Sequence, residues 1–122
     1  MSQPDARILV VDDEVTNRLI LQDLMGTAYS VHTVADGQLA IDYLMAGQRV
    51  DLILLDVMMP RMDGFEACRR IKSEPHLRHV PVLFLSGLDS AADEARGLSL
   101  GAEDFIHKPF LPAVVLARVR NH

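Results

Sequence analysis

Three stretches of this chain, Ile8–Val11, Leu52–Leu55 and Val82–Leu85, are apolar at every position. A strand with one wet face alternates apolar and polar residues. Unbroken apolar runs suit strands covered on both faces, as in a parallel sheet flanked by helices. They are too short to cross a membrane, which takes about 20 apolar residues. Two weaker runs, Tyr29–Val34 and Asp104–Ile106, complete a set of five candidate strands.

The segments between these runs carry helical spacing. Residues 14–25 place Ile20, Leu21 and Leu24 on one face, and residues 37–46 do so with Ala40, Ile41 and Leu44. Residues 64–73 align Phe65, Cys68 and Ile71, residues 90–100 align Ala91, Ala95 and Leu98, and a fifth helix starts after Pro112. Gly26, Gly47 and Gly101 follow helical stretches, where a left-handed C-terminal residue is favoured. Ser90-Ala91-Ala92-Asp93 reads as a capping box. Five β-α repeats joined by short loops predict a doubly wound α/β domain spanning residues 1–122.

Composition narrows the function. With 12 Lys+Arg against 17 Asp+Glu, the formal charge of −5 argues against a nucleic-acid-binding surface. A single cysteine, Cys68, excludes an internal disulfide framework and reads as a small core residue. His76 and His79 flank a loop with no third ligand and read as loop residues. The N-terminus lacks the basic and apolar parts of a signal peptide, and the expected location is the cytoplasm, without membrane association. The last helix runs out without a Gly or Pro stop, which predicts a fragment of a longer protein.

Ligands of open α/β sheets bind beyond the carboxyl ends of the strands. There the first strand runs into Asp12-Asp13, the third into Asp56, the fourth into Ser86 and the fifth into Lys108. Crowded carboxylates raise one another's pKa values, and a divalent cation relieves the repulsion. An all-oxygen donor set suits Mg²⁺ (or Mn²⁺) rather than Zn²⁺. A cation and an ammonium beside a carboxylate are what phosphoryl transfer to that carboxylate requires. Asp56, at the end of the central strand, is the candidate acceptor.

The motifs Val10-Val11-Asp12-Asp13-Glu14, Leu54-Leu55-Asp56-Val57-Met58-Met59-Pro60, Met62-Asp63-Gly64, Leu85-Ser86-Gly87 and Lys108-Pro109-Phe110 resemble those of response-regulator receiver domains. The resemblance runs from about Ala6 to the last residue. It implies a flavodoxin-like five-stranded sheet in the order 2-1-3-4-5 and a signalling switch rather than an enzyme. It implies that Asp56 is phosphorylated by a phosphohistidine on a histidine kinase or phosphotransfer protein. Asp12, Asp13, Asp56 and the backbone carbonyl of Met58 would hold Mg²⁺, with Asp12 acting partly through water. Lys108 would pair with a phosphoryl oxygen, Ser86 would move to bond another, and Phe105 would turn inward with it. The Lys108–Pro109 bond resembles the family's cis peptide. The face of helix 4, strand 5 and helix 5 would then change, to bind a partner, a second copy as a homodimer, or a C-terminal output domain such as a cyclic-di-GMP enzyme or a kinase.

Two departures concern the switch rather than the chemistry: Ser replaces the commoner Thr at 86, and Phe replaces the frequent Tyr at 105. Three other readings compete. A haloacid-dehalogenase-type phosphatase would want its two acids two residues apart, whereas Asp12 and Asp13 are adjacent. A flavodoxin-like FMN carrier would want a phosphate loop where Asp12-Asp13-Glu14 repels phosphate. A degenerate receiver would lack one of the five polar groups, all of which are present.

Overall fold

The computed structural model describes residues 6–87 and 91–122. Strands and helices alternate as β1 (Arg7–Val11), α1 (Val15–Met25), β2 (Ser30–Val34), α2 (Gly37–Met45), β3 (Leu52–Asp56), α3 (Gly64–Ser73), β4 (Val82–Ser86), α4 (Ala91–Ser99), β5 (Asp104–His107) and α5 (Pro112–Asn121). The strands form one parallel sheet in the order β2-β1-β3-β4-β5. This is the doubly wound, flavodoxin-like fold that the sequence predicts.

The period of a strand divides its side chains between two cores. Leu9, Val11, Ile53, Leu55, Val82, Phe84 and Phe105 point to the face covered by α2, α3 and α4. Their alternates Ile8, Val10, Leu52, Leu54, Leu83, Leu85 and Ile106 point to the face covered by α1 and α5. Double coverage is why β3 and β4 are buried along their whole lengths. The edge strand β2, whose sequence is Ser-Val-His-Thr-Val, is only partly covered.

The helix faces follow prediction in part. In α3, Phe65, Cys68 and Ile71 are buried together with Ala67. Cys68 is fully enclosed and burial pushes its thiol up to about 11, as suits an inert core residue. In α1 the inward residues are Leu21 and Met25, with Leu24 packed alongside, whereas Ile20 stays 45% exposed. In α4 the predicted face is the wrong one: Ala91, Ala95 and Leu98 are exposed, and Gly97 is the buried residue. The cause is how closely α4 sits on the sheet. A Cβ at Gly97 would lie 2.5 Å from Phe105 Cζ and 2.9 Å from Phe84 Cε2, so only glycine can face those rings. The three rings beneath α4 pack edge to face or tilted, Phe65 on Phe84 at 5.2 Å and Phe84 on Phe105 at 5.3 Å between centroids.

Gly47 and Gly101 take the left-handed conformation, with φ of 90° and 103°. Gly26 does not: at φ −64° and ψ −17° it is helical, and its N–H donates to Gln22 O in continuation of α1. Ser90 of the predicted capping box lies outside the described residues. The side chains of Asp36 and Asp63 cap α2 and α3, accepting from Leu39 N and Glu66 N at 2.8 Å each.

The amino ends of β4 and β5 are closed by a polar clasp. Lys72 Nζ, from the last turn of α3, donates to Val80 O at 2.7 Å, Arg78 O at 3.1 Å and Glu103 Oε1 at 3.1 Å. The other Glu103 oxygen accepts from Val82 N at 2.9 Å.

Candidate functional site

Parallel strands end on the same edge of a sheet, so residues distant in sequence meet there. Asp12 follows β1, Asp56 closes β3, Ser86 closes β4 and Lys108 follows β5. The register pairs Val11 with Leu55, which sets Asp12 level with Asp56. Asp56 in turn pairs with Leu85, one residue before Ser86. Among the described residues Asp12, Asp56 and Ser86 are the buried polar ones, exposed by 0%, 1% and 2%.

Burying two carboxylates side by side is costly unless their oxygens find partners. Lys108 Nζ donates to Asp56 Oδ1 at 3.0 Å and lies 3.7 Å from Asp12 Oδ2. Asp12 Oδ1 accepts from Glu14 N at 2.9 Å. Met58 N lies 3.4 Å from Asp56 Oδ1, a weak bond at best. The remaining oxygens, Asp12 Oδ2 and Asp56 Oδ2, are buried and accept no hydrogen bond. Exposed Asp13 joins them: one carboxylate oxygen from each of Asp12, Asp13 and Asp56 lies within 4.8 Å of the others. This is the grouping of three potential ligands found among the described residues.

The electrostatics follow from this crowding. Asp56 is raised from 3.8 to about 7, chiefly by burial and also by the charge of Asp12, against the hydrogen bond from Lys108. Burial works against the Lys108 ammonium, but its hydrogen bond to Asp56 and the charges of Asp56, Asp12 and Glu14 outweigh it and raise its pKa. In a simple ion pair the acid would fall as the base rises. Here both rise: burial lifts Asp56 further than its contact with Lys108 lowers it, while the surrounding carboxylates lift Lys108. Two orphaned buried oxygens plus one exposed carboxylate make a donor set that fits a hard divalent cation.

Two further groups shape the loops. Arg18 Nη1 from α1 donates to the backbone oxygen of Asp12 at 2.6 Å. Gly64, at the start of α3, donates its N–H to Val57 O at 2.8 Å, and a Cβ there would run into the backbone of Asp56. Neither Arg18 nor the close approach of Gly64 is visible from residue type alone. A cation six residues beyond a strand-end acid, on the first turn of the next helix, is the signal that points to Arg18.

The other predicted residues are placed as follows. The Lys108–Pro109 bond is cis. The Met58 side chain is 63% exposed at the mouth of the β3–α3 loop. Lys108 N donates to the carbonyl of Ser86 at 2.8 Å, tying the ends of β4 and β5. Phe105 is 3% exposed and belongs to the core beneath α4 rather than to the acidic pocket.

Comparison with known proteins identifies the family and the fold. The family model described as the response regulator receiver domain matches residues 8–120. The response regulator PleD of Caulobacter vibrioides is 47% identical over 117 residues, covering 95% of this chain but 26% of PleD. The chain thus spans about a quarter of that relative's length. Among solved structures, the chemotaxis protein CheY4 of Vibrio cholerae superposes with a TM-score of 0.90 at 31% identity, covering 96% of this chain and 98% of that one. The receiver domain of the sensor histidine kinase PA1611 of Pseudomonas aeruginosa, with magnesium coordinated in its active site cleft, gives 0.86 at 30% identity over 98% and 97% of the two chains.

Proposed function

The chain belongs to the response regulator receiver domain family, and from that premise we propose that Asp56 accepts a phosphoryl group from a phosphohistidine on a histidine kinase or phosphotransfer protein. The observation that carries the proposal is the pair of buried, unpartnered oxygens on Asp12 and Asp56 beside the Lys108 ammonium.

In the reaction a carboxylate oxygen of Asp56 forms a bond to phosphorus as the bond from phosphorus to the donor's imidazole nitrogen breaks. The imidazole leaves with the electron pair and regains its proton from solvent. Asp12, Asp13, Asp56 and the carbonyl of Met58 would hold Mg²⁺, which when bound supplies positive charge to the phosphoryl oxygens. Lys108, held at 3.0 Å from Asp56, gives up part of that contact to a phosphoryl oxygen. The Ser86 hydroxyl, buried at the end of the neighbouring strand, donates to another. The added charge and acceptor oxygens draw Ser86 and the end of β4 toward Asp56. That pull reaches Phe105 and the face built from α4, β5 and α5, which binds a second copy, a partner or an output domain in a longer cytoplasmic protein.

The test is incubation with acetyl phosphate and Mg²⁺ or Mn²⁺, followed by mass spectrometry and acid lability of the adduct. Label is expected on Asp56 only, dependent on the metal. Metal-independent labelling, or labelling that survives Asp56→Asn, would overturn the assignment.

A further inference from the structure

Asp12 is held at three of its four polar points. Its N–H donates to Val34 O at 3.2 Å, its Oδ1 accepts from Glu14 N at 2.9 Å, and its carbonyl accepts from Arg18 Nη1 at 2.6 Å. Only Oδ2 is left over, buried, 3.7 Å from Lys108 Nζ. Two of the three restraints are backbone donors and acceptors supplied by the fold. The third comes from a side chain, and it is charged, which makes it the stronger kind of hydrogen bond.

The guanidinium reaches this carbonyl from the first turns of α1, half-buried, while the Arg18 backbone N–H donates to Glu14 O at 3.2 Å. It takes a carbonyl as its partner although three carboxylates stand at the same edge of the sheet. The consequence extends one residue further. The peptide between Asp12 and Asp13 is planar, so fixing the Asp12 oxygen also fixes the direction in which the Asp13 backbone leaves. One side chain thereby sets the loop that carries two of the three clustered acids.

Resting on the reading of that cluster as a Mg²⁺ site, we infer that Arg18 is a positioning residue: it holds the Asp12–Asp13 peptide so that both carboxylates are presented to the ion before the ion arrives. It does not touch the ion or the phosphoryl group. Its effect is on the readiness of the ligands, a contribution of the kind that outer-shell partners make to metal affinity.

The test uses Mg²⁺ alone, titrated into the unphosphorylated protein by calorimetry, with Arg18→Gln and Arg18→Lys beside wild type. Arg18→Gln is expected to weaken Mg²⁺ binding about tenfold or more. Arg18→Lys, which keeps a charged donor, should recover part of that loss. In acetyl phosphate reactions the Mg²⁺ concentration for half-maximal rate should rise in Arg18→Gln, while the rate at saturating Mg²⁺ stays close to wild type. Unchanged Mg²⁺ affinity in both variants would overturn the inference, as would a lowered melting temperature in Arg18→Gln with affinity intact, which marks a purely structural bond. Should Arg18→Gln fail to fold, Arg18→Lys alone decides: that variant must bind Mg²⁺ more weakly than wild type, because a lysine ammonium does not reproduce the reach and direction of the guanidinium Nη1 that holds the Asp12 carbonyl. Wild type that binds no Mg²⁺ would remove the metal reading itself, a failure distinct from equal binding by wild type and variants.

Discussion

At the amino ends of β4 and β5, Lys72 donates to two carbonyls and to Glu103, and both Glu103 oxygens are used. At the carboxyl end of the same sheet, Lys108 reaches Asp56, while one oxygen of Asp56 and one of Asp12 accept nothing. The two sites use the same chemistry, a lysine against a carboxylate at strand ends, with opposite degrees of satisfaction. The closed pair locks α3 to the sheet and has no capacity left for a ligand. The open one holds excess negative charge in a buried place, a cost that only an incoming cation or proton relieves. Comparing them separates a contact complete in itself from one that leaves buried acceptors open.

The largest test of that contrast is Asp56→Asn. Phosphorylation by acetyl phosphate should vanish, and the neutral amide should leave the protein at least as stable at neutral pH, as measured by urea unfolding. A clear loss of stability would mean that the open pair is structural after all. Next, Lys72→Met should cost about 2 kcal/mol by leaving Glu103 and two carbonyls without their charged donor, with phosphorylation intact. Lys108→Met should cost less stability than Lys72→Met, because Asp56 can take up a proton, yet it should cripple the phosphorylated state. Reversed costs would break the comparison.

A smaller effect appears in pH dependence. The folded-state pKa of Asp56, about 7, lies above its ordinary 3.8, so the folded protein binds this proton more tightly than the unfolded chain. Its contribution is therefore favourable at low pH and is lost as pH rises from about 4 to about 7. Asp51 and Asp104 are held below their ordinary values, and they act in the other direction, in the acid range below that window. Urea midpoints should decline across the window in wild type and flatten in Asp56→Asn. Mg²⁺ should flatten them too, by favouring the ionised carboxylate. The smallest effect is the control: Arg49→Ala, which breaks the exposed pair with Asp51, should change stability by about 0.5 kcal/mol or less.

Much of this architecture is legible in the chain. Unbroken runs such as Leu52–Leu55 announce covered strands, and the polar residue following each run announces the site, because parallel strands deliver their ends to one edge. The family match sets aside the phosphatase and flavin-carrier readings of the same pattern. Three features escape for physical reasons. The inward face of α4 is a glycine, which no count of apolar residues can find, so Ala91, Ala95 and Leu98 read as core and prove to be surface. Lys72 looks like any surface lysine on an amphipathic helix until α3 is docked and the carbonyls of Arg78 and Val80 come within reach. Arg18 bonds a backbone oxygen, which residue type does not mark, and only its spacing from Asp12 on the next helix points to it.

The missing side chain at position 97 has one more consequence. Since α4 rests directly on the rims of Phe84 and Phe105, its height above the sheet is set by how those rings lie. A single methyl group added at 97 would have to lift the helix off the sheet or push both rings aside, so the absence of one carbon atom fixes the thickness of this layer of the molecule.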